Sequence, residues 1–305
     1  MELQGLLNAL PGAAAQGMIW GIMAIGVYIT FKILDLADLT VDGSMVTGMA
    51  VCAMLMAAGW NVWAAMAVAF VAGMLTGALT GFFHTILGIP AILAGILTQL
   101  ILWSVNLKIM GKANQALPAR TFPVLITQLR KYEALVFLAL ICVAMIALLY
   151  CFFGTKFGAS IRATGCNERM ARAQGINTNR NIVLGLMISN GLVALSGALL
   201  AQFQSFADIN MGRGAIVTGL AAIIIGEVAF GKLFRNFALK LTAVSLGAII
   251  YYVVIQAVIS LLDIDSNYLK LISALVVAVF LAIPNLRGKV FHKKASNAGK
   301  ESSHA

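Results

Sequence analysis

Charge is scarce in this chain. Only 10% of its 305 residues are Asp, Glu, Lys or Arg, against about 25% in ordinary soluble domains. With 61% of residues hydrophobic and a mean hydropathy of +0.95, a water-soluble fold is excluded, because the surface of any folded chain must still face its solvent. Lipid is the solvent that fits.

Histidine and cysteine are nearly as rare. The three His residues, His84, His292 and His304, are scattered, and the four cysteines (Cys52, Cys142, Cys151, Cys166) have no metal-ligand spacing and imply no disulfide framework. No metal site is expected. No His-Glu-x-x-His, Gly-x-Ser-x-Gly or clustered Asp motif occurs, so no enzyme chemistry is indicated. A Gly-x-x-x-x-Gly-Lys-Ser/Thr phosphate loop is missing too, so any ATP that drives this protein must bind to another chain. The formal charge of +10 lacks the aromatic–basic interleaving of single-strand binders, and no nucleic acid is expected. The basic residues are read as topology determinants and contacts to anionic lipid. No cationic stretch precedes the first apolar run, which argues against a cleaved signal peptide.

What is present in quantity is long apolar sequence. A spanning helix needs about 20 mostly apolar residues, and such segments fall at 13–34, 44–59, 62–84, 88–110, 133–153, 181–204, 214–230, 237–261 and 267–284. The expected fold is an all-α membrane protein, a polytopic bundle of about eight to ten transmembrane segments. One of them is expected to be broken or re-entrant: 44–59 is short, and Asp35, Asp38, Thr40, Asp42 and Ser44 precede or open it. Residues 1–284 would form a single membrane domain containing a polar loop at 154–180, and 285–305 a basic tail.

Placing that loop and tail in the cytoplasm puts Lys156, Arg162, Arg169, Arg172, Arg180, Arg287, Lys289, Lys293, Lys294 and Lys300 inside, with Lys32, Lys232, Arg235 and Lys240. These are 14 of the 21 basic residues, the bias that orients membrane proteins. The C-terminus is then cytoplasmic and the N-terminus external. The 111–132 loop, with Lys112, Arg120, Arg130 and Lys131, faces outward against the rule, and is read as a docking loop for a partner.

Within the helices, Gly73, Gly77 and Gly81, and Gly17 with Gly21, have the spacing that lets helix axes approach closely. Packing inside the bundle is the expected use. Isolated Asn190, Gln202 and Gln256 are expected to act as interhelical hydrogen-bond partners. Pro90 should open its helix, where a missing N–H costs nothing. Asp38, Thr40, Asp42, Ser44 and Asn190 are candidate pathway or gate residues, because non-helical backbone at membrane depth survives only against protein or water. A cytoplasmic turn with a capped helix start is an equal alternative. Glu227 is expected near a helix end, reaching out to pair with Lys232 or Arg235.

In the 154–180 loop, residues 167–174 read as a short helix. Asn167 caps it, Glu168 suits its positive end and Gly175 suits the left-handed position beyond it. Such a helix needs a surface to pack on. The spacing of Gly158, Arg162, Ala163, Glu168, Ala171, Gly175, Ile176 and Asn177 resembles the cytoplasmic coupling segment of branched-chain amino acid permeases, the membrane subunits of bacterial ABC importers. Gly88-Ile89-Pro90, Ser196-Gly197-Ala198-Leu199 and Ile225-Gly226-Glu227 fall where that family has related features, so the resemblance runs along the whole chain. Glu227 is a departure, since these permeases often carry paired glycines there.

Within the family, the chain is most similar to a subgroup associated with tryptophan or tyrosine uptake. The resemblance implies a permease in a bacterial inner membrane, paired with a second permease copy as a homodimer. It implies ABC ATPase subunits that hold ATP and Mg, and an external solute-binding protein. Arg162, Ala163, Glu168, Ala171, Gly175 and Ile176 would carry the coupling to the ATPase. The expected activity is uptake of an aromatic or branched-chain amino acid. An ion-coupled secondary transporter is the alternative, disfavoured because the carboxylates that could relay ions are all expected near segment ends.

Overall fold

The computed structural model describes residues 2–117, 124–231, 233–234, 236–262, 271, 274–275 and 277–279. The helices are α1 (Glu2–Tyr28), continued by a π-helical turn at Ile29–Ile33, α2 (Val41–Ala57), α3 (Val62–Thr85), α4 (Ala91–Met110) and α5 (Lys131–Gly154). They continue with α6 (Lys156–Cys166), α7 (Glu168–Ala173), α8 (Thr178–Gln204), α9 (Ala215–Phe230) and α10 (Phe237–Leu262). A two-stranded antiparallel ribbon joins β1 (Asn114–Ala116) to β2 (Phe206–Asp208), with Gln115 opposite Ala207. Among the described residues six helical segments are long and apolar enough to cross a membrane, and α2 and α9 are shorter apolar helices. This is the expected all-α polytopic bundle. The expected 267–284 segment lies largely outside the described residues, and the tail at 285–305 entirely so.

The helix α8 is the axis of the bundle, packed against α1, α2 and α3, while α10 closes the far side of α1 and α9. Glycines set these approaches. A side chain on Gly73, Gly77 or Gly81 would run into Ala194, Leu186 or Val183 of α8, and one on Gly17 or Gly21 into Ile249 or Ser245 of α10. Without a hydrophobic drive between helices in lipid, such close contact supplies the dispersion energy of assembly. The small-residue spacing therefore serves packing inside the bundle. Buried hydroxyls add to it: Ser189 donates to Gly26 O and Ser196 to Ile19 O, each at 2.7 Å.

Contacts at the helix tips sort the bundle into two ends. At one, α6 meets the close of the α1 π turn (Gly165 against Ile33) beside the start of α8 (Gly185 against Leu34). At the other lie the β ribbon and the first residues of α5, where Lys131 neighbours Gly12 of α1.

Two helices do not run from end to end. After the π turn, Asp35 adopts a left-handed conformation (φ 55°) that stops the helix, and 34–40 continue without regular structure. The first turn of α2 then starts against the middle of α8, with Ser44 bonded to Asn190, and α2 runs to the strand end, where Cys52 meets Gln202. The helix α9 starts at the same depth, with Gly212 against Asp42. It runs the opposite way, past Met23 and Val27 to Glu227 near the α6 end. At 17 and 16 residues, each is about 25 Å long, short of a core of about 30 Å. The broken helix foreseen before 44–59 is present, and 214–230 is a second short one.

Candidate functional site

The two breaks meet in a seam of polar groups at the centre of the bundle. Asp38, 4% exposed, accepts from Thr40 N at 2.9 Å through Oδ1 and from Asn190 Nδ2 at 2.7 Å through Oδ2. Asn190 Oδ1 in turn accepts from Ser44 Oγ at 2.6 Å, and Ser44 Oγ lies 2.7 Å from Thr76 Oγ1. The single hydroxyl proton of Ser44 goes to Asn190, and the single Thr76 proton is shared between Ser44 Oγ and Gly73 O, each at 2.7 Å. A parallel ladder runs from Thr40 to Thr80 (2.6 Å) and on to Thr98 (3.0 Å). Every member is buried. Buried polar groups are tolerated only when paired, and here each is paired with a group on another helix.

The structure thus brings Asp38, Thr40, Ser44 and Asn190 into one network, sealed from the surface in this conformation. The carboxylates do lie near a segment end, as expected, but that end is deep. Asp38 and Asp42 sit level with the middle of α8, because a helix that begins halfway places its end there.

Asp42 has a different task. Its Oδ2 accepts from Gly214 N at 2.9 Å and its Oδ1 from Ile216 N at 3.0 Å. Those are orphan donors at the start of α9, whose N-cap Gly214 (φ 85°) has no side chain to satisfy them. A carboxylate also suits the positive end of a helix dipole. Asp42 further lines a cavity of ≈ 270 Å³ between α2, α4 and the 209–213 loop, together with Gln99, Trp103, Asn106 and Arg213.

Sequence reasoning missed Gln99, Asn106 and Arg213, and with them the hydroxyls of Thr76, Thr80 and Thr98. Gln99 and Asn106 carry the same signal as Asn190, a lone amide in an apolar helix. Arg213 reads as an ordinary loop charge until its glycine neighbours are seen held against Asp42. Of the other two amides expected to bond between helices, Gln202 accepts from Leu125 N at 3.1 Å through Oε1. Gln256 makes no side-chain hydrogen bond among the described residues.

At the α6 end the expected polar loop contains one helix more than expected. Thr155 caps α6 by accepting from Gly158 N at 3.3 Å, Asn167 caps α7 through Met170 N at 3.0 Å, and Asn177 caps α8 through Arg180 N at 3.1 Å. Gly175 is left-handed (φ 78°), as expected, and lets Ile176 N reach Ala171 O at 3.1 Å. Arg162 donates to Phe153 O at 2.9 Å, and Thr164 accepts from Asn181 at 2.9 Å. Glu168 pairs with Arg172 at 2.6 Å, and both bond Thr178 of α8. Ala171 is buried, Ala163 and Ile176 half-buried, and Arg162, Glu168 and Gly175 exposed.

This α6–α7 unit rests on the π turn and on α8, and presents Phe157 and Met170, 69% and 61% exposed, beside its charges. Pro90 stands at the N-cap of α4. Glu227 pairs with Lys32 at 3.0 Å; Lys232 and Arg235, the partners expected for it, lie outside the described residues. No group of three or more His, Cys, Asp or Glu residues that could hold a metal occurs among the described residues.

A helical bundle with two helices interrupted at mid-depth, polar groups gathered at the breaks and a capped helical unit at one end defines a membrane transport subunit. The chain belongs to the family described as the branched-chain amino acid transport system permease component, whose profile matches residues 10–283. It is 39% identical over 281 residues to a tyrosine transport system permease protein of Clostridioides difficile (strain R20291), covering 92% of each chain. An uncharacterized protein of Rickettsia prowazekii (strain Madrid E) is 36% identical over 277 residues, 90% of this chain and 98% of that one. The autoinducer 2 import system permease protein LsrC of Escherichia coli (strain K12 / DH10B) is 31% identical over 202 residues, 63% and 56% of the respective chains. No solved structure matches significantly.

Proposed function

We propose that this chain forms the translocation pathway of an ABC importer for amino acids, aromatic ones first and branched-chain ones second. Two copies would assemble in a bacterial inner membrane, with ATP and Mg held by separate ATPase subunits. The observation that carries the reading is the meeting of α2 and α9 at mid-depth, at a break joined to the α6–α7 unit. Gly165 of α6 abuts the Ile33 backbone, from which the non-helical linker leads through Asp38 and Thr40 to the start of α2. A push on α6–α7 would therefore be felt at the seam. A two-state element of this kind is what coupling between distant sites requires.

The excess of basic residues at the α6 end supports a cytoplasmic location for it and for the C-terminus. The β-ribbon end would then meet the external binding protein. The cavity bearing Asp42 and Arg213 lies on the flank of α4, whose apolar residues are largely exposed. Lipid is a poor cover for charge, which favours a second permease copy there. The tyrosine transport permease among its relatives supports the substrate class.

The ion-coupled alternative gains Asp38 and Asp42 at depth, yet Asp38 is sealed from the surface and Asp42 is engaged in capping α9.

Arg162→Glu, on the exposed face of α6, is expected to insert and assemble normally while solute-stimulated ATP hydrolysis falls to its basal rate. Unchanged stimulation in assembled complexes would sink the coupling role. A pull-down of the tagged chain from its host, read by mass spectrometry, should recover an ABC ATPase and a solute-binding protein. Uptake that persists when the co-purifying ATPase is deleted would favour the ion-coupled transporter.

A further inference from the structure

The cavity between α2, α4 and the 209–213 loop holds one carboxylate, Asp42, and one guanidinium, Arg213. The backbone of Arg213 is fixed at mid-depth, because Gly212 abuts Asp42 and Gly214 N donates to its carboxylate. Its side chain is exposed and has no ion pair among the described residues. An ionisable group at membrane depth with no partner is costly to keep without a function.

A second observation concerns Asn106, which lines the same cavity. Asn106, 1% exposed, donates through Nδ2 to Gly43 O at 3.3 Å, which leaves its Oδ1 buried with no partner. Flipping the amide would set two oxygens against each other, so the unpaired group is an acceptor. Buried acceptors without a donor are rare and call for an explanation. Asp42, with one N–H on each oxygen, still has lone pairs to offer. Trp103 and Leu100 give the cavity an apolar wall.

We infer that this cavity is a transient subsite for a zwitterionic α-amino acid. Its carboxylate would lie on Arg213, its ammonium between Asn106 Oδ1 and Asp42, and its side chain against Trp103 and Leu100. The charges fit that class: an amine or an acid would leave one charge uncompensated, and a neutral polyol both. The volume of ≈ 270 Å³ is near the lower end of small-molecule pockets, about 300 Å³, enough for one amino acid. The inference deepens the importer reading and rests on it for the direction of transport, but binding can be measured without the other subunits.

The experiment is equilibrium binding of radiolabelled L-tyrosine to the full chain in lipid nanodiscs. Unlabelled L-leucine, tyramine, which lacks the carboxylate, and 3-(4-hydroxyphenyl)propanoate, which lacks the ammonium, serve as competitors. L-tyrosine should bind saturably and L-leucine should compete. Each singly charged analogue should be weaker by about tenfold or more, as sites built for a polar group reject ligands that lack it. Arg213→Gln should weaken L-tyrosine by a similar factor and abolish its advantage over tyramine, while Arg213→Lys retains part of it. Asn106→Leu should erase the advantage over the propanoate. Monodispersity of each variant on gel filtration separates lost binding from lost fold.

No saturable binding to the wild-type chain, analogues that bind as well as L-tyrosine, or an Arg213→Gln variant that binds normally would each overturn the subsite. If that last variant still co-purifies with an ATPase and a binding protein, the importer reading stands while the subsite falls. If a chain that recovers neither partner binds as expected, the subsite stands and the importer reading falls.

Discussion

The two short helices face one physical problem and solve it differently. Both begin at mid-depth, where the first N–H groups of a helix have no water to bond. At α2, residues just upstream take part in the solution: Asp38 accepts from Thr40 N, and Thr40 and Ser44 tie the first turn to Thr80, Thr76 and Asn190. At α9, the upstream residue is Gly214, with no side chain, and the acceptor comes from Asp42 of α2. The start of α2 is thus buttressed from three sides, while that of α9 depends on α2. Of the two, α9 is the one set to follow when α2 moves.

That dependence can be broken at graded cost. The largest effect is expected from Gly48→Leu, whose side chain would run into the Ala194 backbone of α8. Overpacking against backbone costs about 3 kcal/mol, and α2 and α9 should loosen together, read as loss of a monodisperse species in detergent. Gly12→Ala, which meets only the flexible end of Lys131, should be neutral in the same assay.

Asp38→Ala should come next, because it leaves Thr40 N and one Asn190 amide proton without their acceptor, at about 2 kcal/mol. Hydrogen exchange should rise across 34–44 and 190. Asp42→Ala should cost a comparable or smaller amount, about 1–2 kcal/mol for a lost cap. Its signature is selective: faster exchange at 214–218 with α2 unchanged. Equal loosening of both helices would show that the asymmetry is wrong. Smallest of all, Lys32→Met or Glu227→Gln should shift the melting midpoint little, since both side chains are more than a third exposed and such pairs contribute about 0–1 kcal/mol.

Much of the outline was legible in the chain. Apolar length marks the helices, because a lipid core imposes one length on every full crossing. The short 44–59 run with five polar residues at its head exposes the first break. The second is hidden, because 214–230 has nearly the length and apolarity of a spanning helix, and only Asp42 and Gly212 reveal where it starts. The α6–α7 caps are half legible: Asn167 and Gly175 announce α7, whereas α6, with glycine at 158 and 165, has weak intrinsic propensity and takes its form from the π turn and α8 beneath it. Asp38, Thr40, Ser44 and Asn190 stand out in the sequence as separate candidates, with no sign that they touch.

Composition and spacing therefore determined by themselves that this protein lives in lipid, is built of helices and packs them on glycine. Those properties follow from local rules that each stretch of sequence obeys alone. Which carboxylate seals the seam, which one caps a neighbouring helix and which amide is left with an unpaired oxygen was decided only by the tertiary structure. Asp38 and Asn190 are 152 residues apart, and Asp42 and Gly214 are 172 apart. Pairings over such distances are chosen by the packing of the whole bundle, where most buried polar groups find a partner and only the fold determines which groups are near.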